Sequence, residues 1–139
     1  MTSFSLLYVL DAYAILAFFQ LEPGGSRVRD VLSAAAQGDL SLAMTVVNAA
    51  EVIYRTVRGF GLDRARSVES ELLNLNIDFV SVDQSLATAA AWIKGTHAIS
   101  FADCLVAALA QRLDATILTG DRDFERFGSQ IVVEWLPIT

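Results

Sequence analysis

Apolar residues run without alternation over the five positions from Leu6 to Leu10, stop at Asp11, and resume at once over residues 12–19. An unbroken run of this length suits a strand of a parallel sheet covered on both faces. The segment after Asp11 is long enough for two turns of helix. Further along, Leu21-Glu22-Pro23-Gly24-Gly25 breaks the pattern. Residues 26–38 then place Val28, Val31, Leu32, Ala35 and Ala36 at helical spacing, and residues 40–43 read as a short strand. Thr45 is a cap for a helix that ends at Gly59. Gly61 closes a turn, and Asp63 is the expected cap of a helix over 64–75. A strand at 79–82 precedes an Ala-rich helix that starts at Asp83 or Ser85 and runs to Lys94. Ser100 opens a strongly apolar helix to Leu113, 116–119 is a strand, 121–127 a loop with a helical turn, and 131–133 the last strand. Strands alternating with helices predict a three-layer α/β/α sandwich around a mainly parallel sheet of four to five short strands.

Length and composition narrow this picture. At 139 residues the chain is expected to form one domain over 1–139. Its 54% apolar and 19% charged content excludes disorder. No apolar run approaches the roughly 18 residues of a membrane span, and Asp11 interrupts the one stretch near the N-terminus that could pass for a signal peptide. A lone cysteine, Cys104, has no internal disulfide partner, which fits a reducing cytoplasm. Ten basic against sixteen acidic residues give a formal charge of −6. That balance argues against coating nucleic acid by bulk charge. It leaves room for an enzyme whose acids hold cations.

The acids are placed unusually. Glu51 interrupts a helix, Val46-Val47-Asn48-Ala49-Ala50-Glu51-Val52-Ile53, that is apolar on nearly every side. Asp103 does the same in Phe101-Ala102-Asp103-Cys104-Leu105-Val106-Ala107-Ala108-Leu109-Ala110. A helix apolar all round is expected to be buried, and a carboxylate on it must be paired, ligated or neutral. Local relief is small. The helix dipole at Asp103 contributes about 0.3–1 kcal/mol, and an exposed Glu51–Arg55 pair about 0.3–0.5 kcal/mol. Burying an ion costs several times that, so both acids are expected at a cleft. Asp11 has two readings, a helix cap or a ligand at the carboxyl end of the sheet. Asp121 and Asp123, in Thr119-Gly120-Asp121-Arg122-Asp123, are likewise either a turn or part of a site. Converging carboxylates cannot all ionise without cations. An all-oxygen donor set selects Mg²⁺ or Mn²⁺, and no His/Cys cluster argues for zinc. Such a cup suits phosphoryl chemistry.

At this point the sequence resembles the PIN-domain ribonucleases, in particular the VapC-like toxins of bacterial toxin–antitoxin pairs. The resemblance rests on Val9-Leu10-Asp11-Ala12-Tyr13-Ala14-Ile15-Leu16-Ala17 with Glu22-Pro23-Gly24 beyond, on Asn48-Ala49-Ala50-Glu51-Val52, on residues 99–110 around Asp103, and on Leu118-Thr119-Gly120-Asp121-Arg122-Asp123-Phe124. Each motif alone is weak, but the ordered set is specific. It implies that Asp11, Glu51, Asp103 and Asp121 are catalytic metal ligands, with Asp123 a fifth, and that Thr119 and Asn48 support them. It also implies endonucleolytic cleavage of RNA to a 3′-hydroxyl and a 5′-phosphate, a cognate antitoxin that covers the site, and a homodimer; with the lone cysteine and the absence of a long apolar run, the expected location is the cytoplasm, without membrane association. Cys104 stands where the family usually has a small residue, and His97 is not a family catalytic position.

Other residues carry less. Arg55 and Arg58 share a helical stripe with Glu51, and Arg122 and Arg126 adjoin Asp121 and Asp123. These can meet RNA phosphates or form local ion pairs. His97 is expected in a loop or cap. Cys104 is expected as a buried small hydrophobe. Tyr13, Phe18 and Phe19 read as core, or as a dimer or antitoxin surface. Two rivals share the fold class. A haloacid-type phosphatase needs Asp-x-Asp after the first strand, where this chain has Asp11-Ala12-Tyr13. A phospho-receiver needs a late lysine, and the only lysine is Lys94. The remaining alternatives are a PIN-domain RNA-processing nuclease that is not a toxin and a metal-free RNA- or protein-binding module of the same fold.

Overall fold

The computed structural model describes residues 6–138. The outer residues of the expected domain, 1–5 and 139, lie outside it. The strands are β1 (Leu6–Leu10), β2 (Leu40–Thr45), β3 (Asp78–Val80), β4 (Thr116–Thr119) and β5 (Val132–Trp135). They form one sheet in the order β3-β2-β1-β4-β5, and every pairing is parallel. The helices are α1 (Ala12–Phe19), α2 (Gly25–Ala36), α3 (Val46–Phe60), α4 (Leu62–Leu73), α5 (Gln84–Thr96) and α6 (Phe101–Leu113), with a 3₁₀ segment at Arg122–Gln130. This is the expected α/β/α sandwich.

Alternation along the strands divides the core in two. Tyr8, Leu10, Leu42, Met44 and Leu118 face one side, where they pack with residues of α1, α2, α3 and α4. Val9, Ala43 and Ile117 face the other side and meet α5 and α6. Both faces of the central strands are therefore dry, which is why β1 reads as a continuous apolar run. At the β5 edge, Arg27 of α2 forks onto Glu134 at 2.8 and 3.1 Å, and Tyr8 donates to the same carboxylate at 2.7 Å. That bridge ties the edge strand to β1 and α2. No single helix among the described residues is long and apolar enough to cross a membrane.

Several boundaries differ from the sequence reading. Asp63 does not cap α4. Gly61, at φ +89°, ends α3 and opens α4, which starts at Leu62, and Asp63 sits in its first turn paired with Arg66 at 3.3 Å. Glycine adopts this left-handed backbone without a Cβ penalty, so no residue is left over for a separate cap. The helix ends at Leu73 instead of 75. The β2 strand continues to Thr45, β3 begins at Asp78 and ends at Val80, and β5 reaches Trp135. Strand extent follows from the neighbours each strand pairs with, here Thr45 on Val80 and Thr119 on Trp135.

A larger correction concerns α3. Only Asn48, Ala49, Val52 and Thr56 are buried, whereas Val46, Val47, Tyr54 and Phe60 are exposed. Its apolar residues do go all round, but the helix is covered on one face only. By contrast α6 is buried at every position from Cys104 to Ala110, as its sequence predicts.

Candidate metal centre

The acids reach the carboxyl edge of the sheet by four local devices. Asp11 ends β1 and caps α1, with Oδ1 accepting the Ala14 amide at 2.9 Å. It is 2% exposed. Its two readings from sequence are thus compatible: one oxygen caps the helix while the other, Oδ2, accepts the Thr119 hydroxyl at 2.5 Å. Thr119 ends β4, and its Oγ1 also accepts the Asp121 amide at 3.0 Å. Asp121 in turn caps the 3₁₀ segment, with Oδ1 accepting the Asp123 amide at 2.9 Å. A relay of hydrogen bonds therefore runs from Asp123 through Asp121 and Thr119 to Asp11.

Asp103 lies in the first turn of α6, where the Ser100 hydroxyl accepts its amide at 3.2 Å. The spacing Ser100-x-x-Asp103 before an apolar run is that of a capping box, a signal the sequence itself carries for this helix start. Carboxylate oxygens of Asp103, Asp121 and Asp123 come within 4.8 Å of one another. Asp11 lies behind this trio, close enough to Asp103 and Asp121 for their charges to act on it. Glu51 lies to the side, acting on Asp103 and held by Arg55 at 3.3 Å. Asp103, Asp121 and Asp123 are thus brought together, with Asp11 near enough to feel Asp103 and Asp121, and Glu51 near enough to act on Asp103. The tight cluster contains Asp123, the fifth acid of the sequence reading, and Glu51 stands further out on its salt bridge.

Burial and mutual repulsion leave their mark. Burial lifts the Asp11 carboxyl to about 7, with Asp103 and Asp121 adding to the rise while the bonds from Thr119 and Ala14 oppose it. Asp103 is lifted to about 6 by burial, then by the charges of Asp121, Glu51 and Asp123, against a bond from Ser100. In the protein alone these groups cannot all stay ionised near neutrality. Oxygen donors crowded in this way fit a hard divalent cation, which removes the repulsion that raises them.

The supporting residues bind neighbours in the chain. The Thr45 hydroxyl donates to Asn48 Oδ1, and Asn48 Nδ2 donates to the Ala102 carbonyl at 3.3 Å. Asn48 therefore ties the start of α3 to the first turn of α6, beside Asp103. Arg126 Nη1 donates to the Ala98 carbonyl at 2.6 Å, docking the 3₁₀ segment on the loop before α6. Arg58 lies 4.9 Å over the Tyr54 ring, and Arg122 lies 4.4 Å over Trp135 and pairs with Glu125 at 3.2 Å. His97 is the C-terminal cap residue of α5, with Nδ1 2.9 Å from the Ile93 carbonyl oxygen and its ring against Phe127. Cys104 is buried among apolar residues of α6.

A PIN-domain family model matches residues 8–129. The chain belongs to the PIN-domain family. The search of curated proteins finds no match. Among solved structures, this PIN domain is similar to the VapBC2 complex of Rickettsia felis bound to a DNA fragment from its promoter. The identity is 15% and the TM-score 0.72, with 95% of this chain and 100% of that one covered. It is also similar to VapC20 of Mycobacterium tuberculosis, a sarcin-ricin loop cleaving toxin, at 16% identity and TM-score 0.73, covering 94% and 99% of the two chains. A third is the DNA-bound VapBC of Salmonella typhimurium, at 20% identity and TM-score 0.70, covering 93% and 97%. At these identities the likeness is one of fold. Asp11, Glu51, Asp103, Asp121 and Asp123 all fall within the PIN match.

Proposed function

We propose that this PIN domain is a Mg²⁺- or Mn²⁺-dependent endoribonuclease and the toxin of a toxin–antitoxin pair. The observation that carries the reading is the convergence of Asp103, Asp121 and Asp123, with Asp11 and Glu51 near enough for charge to act between them and the cluster, and with Asp11 and Asp103 raised toward neutrality. In this reading Asp103, Asp121 and Asp123 bind the cation directly, with Asp11 and Glu51 completing the set. Both Asp11 oxygens accept one hydrogen bond each and keep a further lone pair for a ligand. Thr119 orients Asp11, and Asn48 keeps the helices of Glu51 and Asp103 in register. When bound, the divalent cation supplies positive charge that polarises the phosphodiester and acidifies water. The chain leaves a 3′-hydroxyl and a 5′-phosphate. In the same reading Arg55, Arg58 and Arg122 are the residues assigned to phosphates of the flanking strand. The resemblance to VapC-like toxins supports a cognate antitoxin that covers the cup, a homodimer, and a cytoplasmic setting.

The sheet order disfavours the phospho-receiver, whose strands run 2-1-3-4-5. Tyr13 stands where the phosphatase requires its second aspartate. The decisive experiment follows cleavage of cellular RNA with Mg²⁺ or Mn²⁺, with a chelator, and with Asp103→Asn, sequencing the ends produced. Metal-dependent cleavage lost in the variant is the expected result. Cleavage that survives both chelation and the substitution would place the chemistry elsewhere, and a fold stabilised by no divalent cation would favour a binding module.

A further inference from the structure

Tyr13 occupies the first turn of α1, two residues beyond Asp11, and is half-buried. Its ring lies flat against Gly120, the residue before Asp121. A Cβ at position 120 would stand 2.7 Å from Tyr13 Cζ and 2.9 Å from Tyr13 Oη. No side chain larger than hydrogen fits there while the ring keeps its place, so glycine is required by close approach. The phenol therefore rests against the turn that leads from β4 into Asp121.

The neutral donors around the acids are otherwise committed. The Thr119 hydroxyl is given to Asp11, the Asn48 amide to Ala102, the Thr45 hydroxyl to Asn48, and the Ser100 hydroxyl to Asp103. The Tyr13 hydroxyl has no partner among the described residues. No buried side-chain oxygen or nitrogen among them is left unpaired, so this hydroxyl opens to solvent. A solvent-facing, uncommitted donor on the ring that rests against Gly120, the residue before Asp121, is available to an acceptor that arrives with a substrate. A phosphate is such an acceptor, and a phenol can reach it without competing for the cation as another carboxylate would.

We propose that the Tyr13 hydroxyl donates a hydrogen bond to a non-bridging phosphate oxygen of the RNA strand bound at the carboxylate cup, a role that rests on the nuclease reading above. Tyr13 is thus a substrate-binding residue, and Gly120 is the seat that positions it.

The test uses the full chain with Ca²⁺ replacing the activating cation, so that RNA is bound with cleavage suppressed. Calorimetry gives the Ca²⁺ affinity, and fluorescence anisotropy gives the affinity for a labelled single-stranded RNA of random sequence, since a phosphate contact is shared by all sequences. Tyr13→Phe keeps the ring on Gly120 and removes only the hydroxyl. It is expected to weaken RNA binding by about tenfold, leaving Ca²⁺ affinity and melting temperature unchanged. Gly120→Ala, which expels the ring, is expected to weaken RNA binding at least as much, and to add nothing in a Tyr13→Ala background. Unchanged RNA affinity in Tyr13→Phe overturns the proposal, as does wild-type RNA affinity that is indifferent to Ca²⁺. A wild-type chain that binds no divalent cation would overturn the nuclease reading itself, and the role of Tyr13 with it.

Discussion

Asp103 and Thr119 separate two kinds of contribution that single residues make to this site. Asp103 is raised to about 6 because the fold buries it near other acids, so its charge costs stability in the metal-free protein. Asp103→Asn keeps the shape and removes the charge. The variant is expected to melt at a higher temperature than wild type in a chelator at pH 8, to lose most of the stabilisation by Mn²⁺, and to cleave RNA more than about 100-fold more slowly. Melting curves with and without Mn²⁺, alongside cleavage rates, check all three; a variant less stable than wild type in chelator would contradict the repulsion argument. Thr119 is different because its hydroxyl makes stabilising bonds in the fold, donating to Asp11 and accepting from the Asp121 amide. Thr119→Val matches its volume but strands a buried carboxylate oxygen and a backbone donor. A loss of about 1–3 kcal/mol in urea unfolding is expected, together with weaker Mn²⁺ binding as the Asp123–Asp121–Thr119–Asp11 relay is cut.

Elements position these residues mainly through their first turns. Asp11, Thr45, Asp83 and Ser100 each accept the amide of the third residue of the helix they cap. Ser100→Ala removes the cap of α6 and the bond to Asp103 at once. Equilibrium unfolding is expected to show a loss of about 1 kcal/mol, and Mn²⁺ affinity is expected to fall although no ligand has changed. Such caps are legible in a sequence because the interaction is local: a small polar residue and the turn it closes are neighbours in the chain. Thr45 and Ser100 are identified that way, and so is the strand-to-helix junction at Asp11. What depends on partners distant in sequence is not legible. The ends of β2, β3 and β5 are set by the strands beside them. The exposure of Val46, Val47 and Tyr54 follows from α3 having no second layer over its outer face. Asp123 joins Asp103 only because a 3₁₀ turn folds it back over Asp121. Gly61 reads in the sequence as a plain turn for a related reason: one left-handed residue serves both as the end of α3 and the start of α4.

For the whole molecule, the two raised acids make stability depend on pH in a direction that cation binding should reverse. An aspartate whose folded value lies above its unfolded value holds its proton more tightly in the folded state. Stability then falls as pH rises from the ordinary carboxyl range through the folded value, and is flat beyond it. For Asp11 that window runs from 3.8 to about 7, and for Asp103 from 3.8 to about 6. At roughly 1.4 kcal/mol per unit, burial of Asp11 alone implies a decline on the order of a few kcal/mol. Glu134 acts oppositely. Arg27 holds it below its usual value, so its contribution is present above the ordinary glutamate range and is lost in acid. From these groups the metal-free protein is therefore expected to be most stable near pH 4, where Glu134 is still ionised and the two aspartates still hold their protons, to weaken up to about pH 7, and to change little beyond it. A divalent cation binds the ionised acids of the folded state and not the unfolded chain, so its stabilisation grows as protons leave the site. Urea unfolding at pH 5, 6, 7 and 8, in chelator and in Mn²⁺, is expected to give a series that falls to about pH 7 and then levels in the first case and a flat or rising one in the second. Parallel slopes in the two series would mean that the cation meets the protein somewhere other than among Asp11, Asp103, Asp121 and Asp123. A metal-free series independent of pH would mean that these acids are not held in a dry pocket.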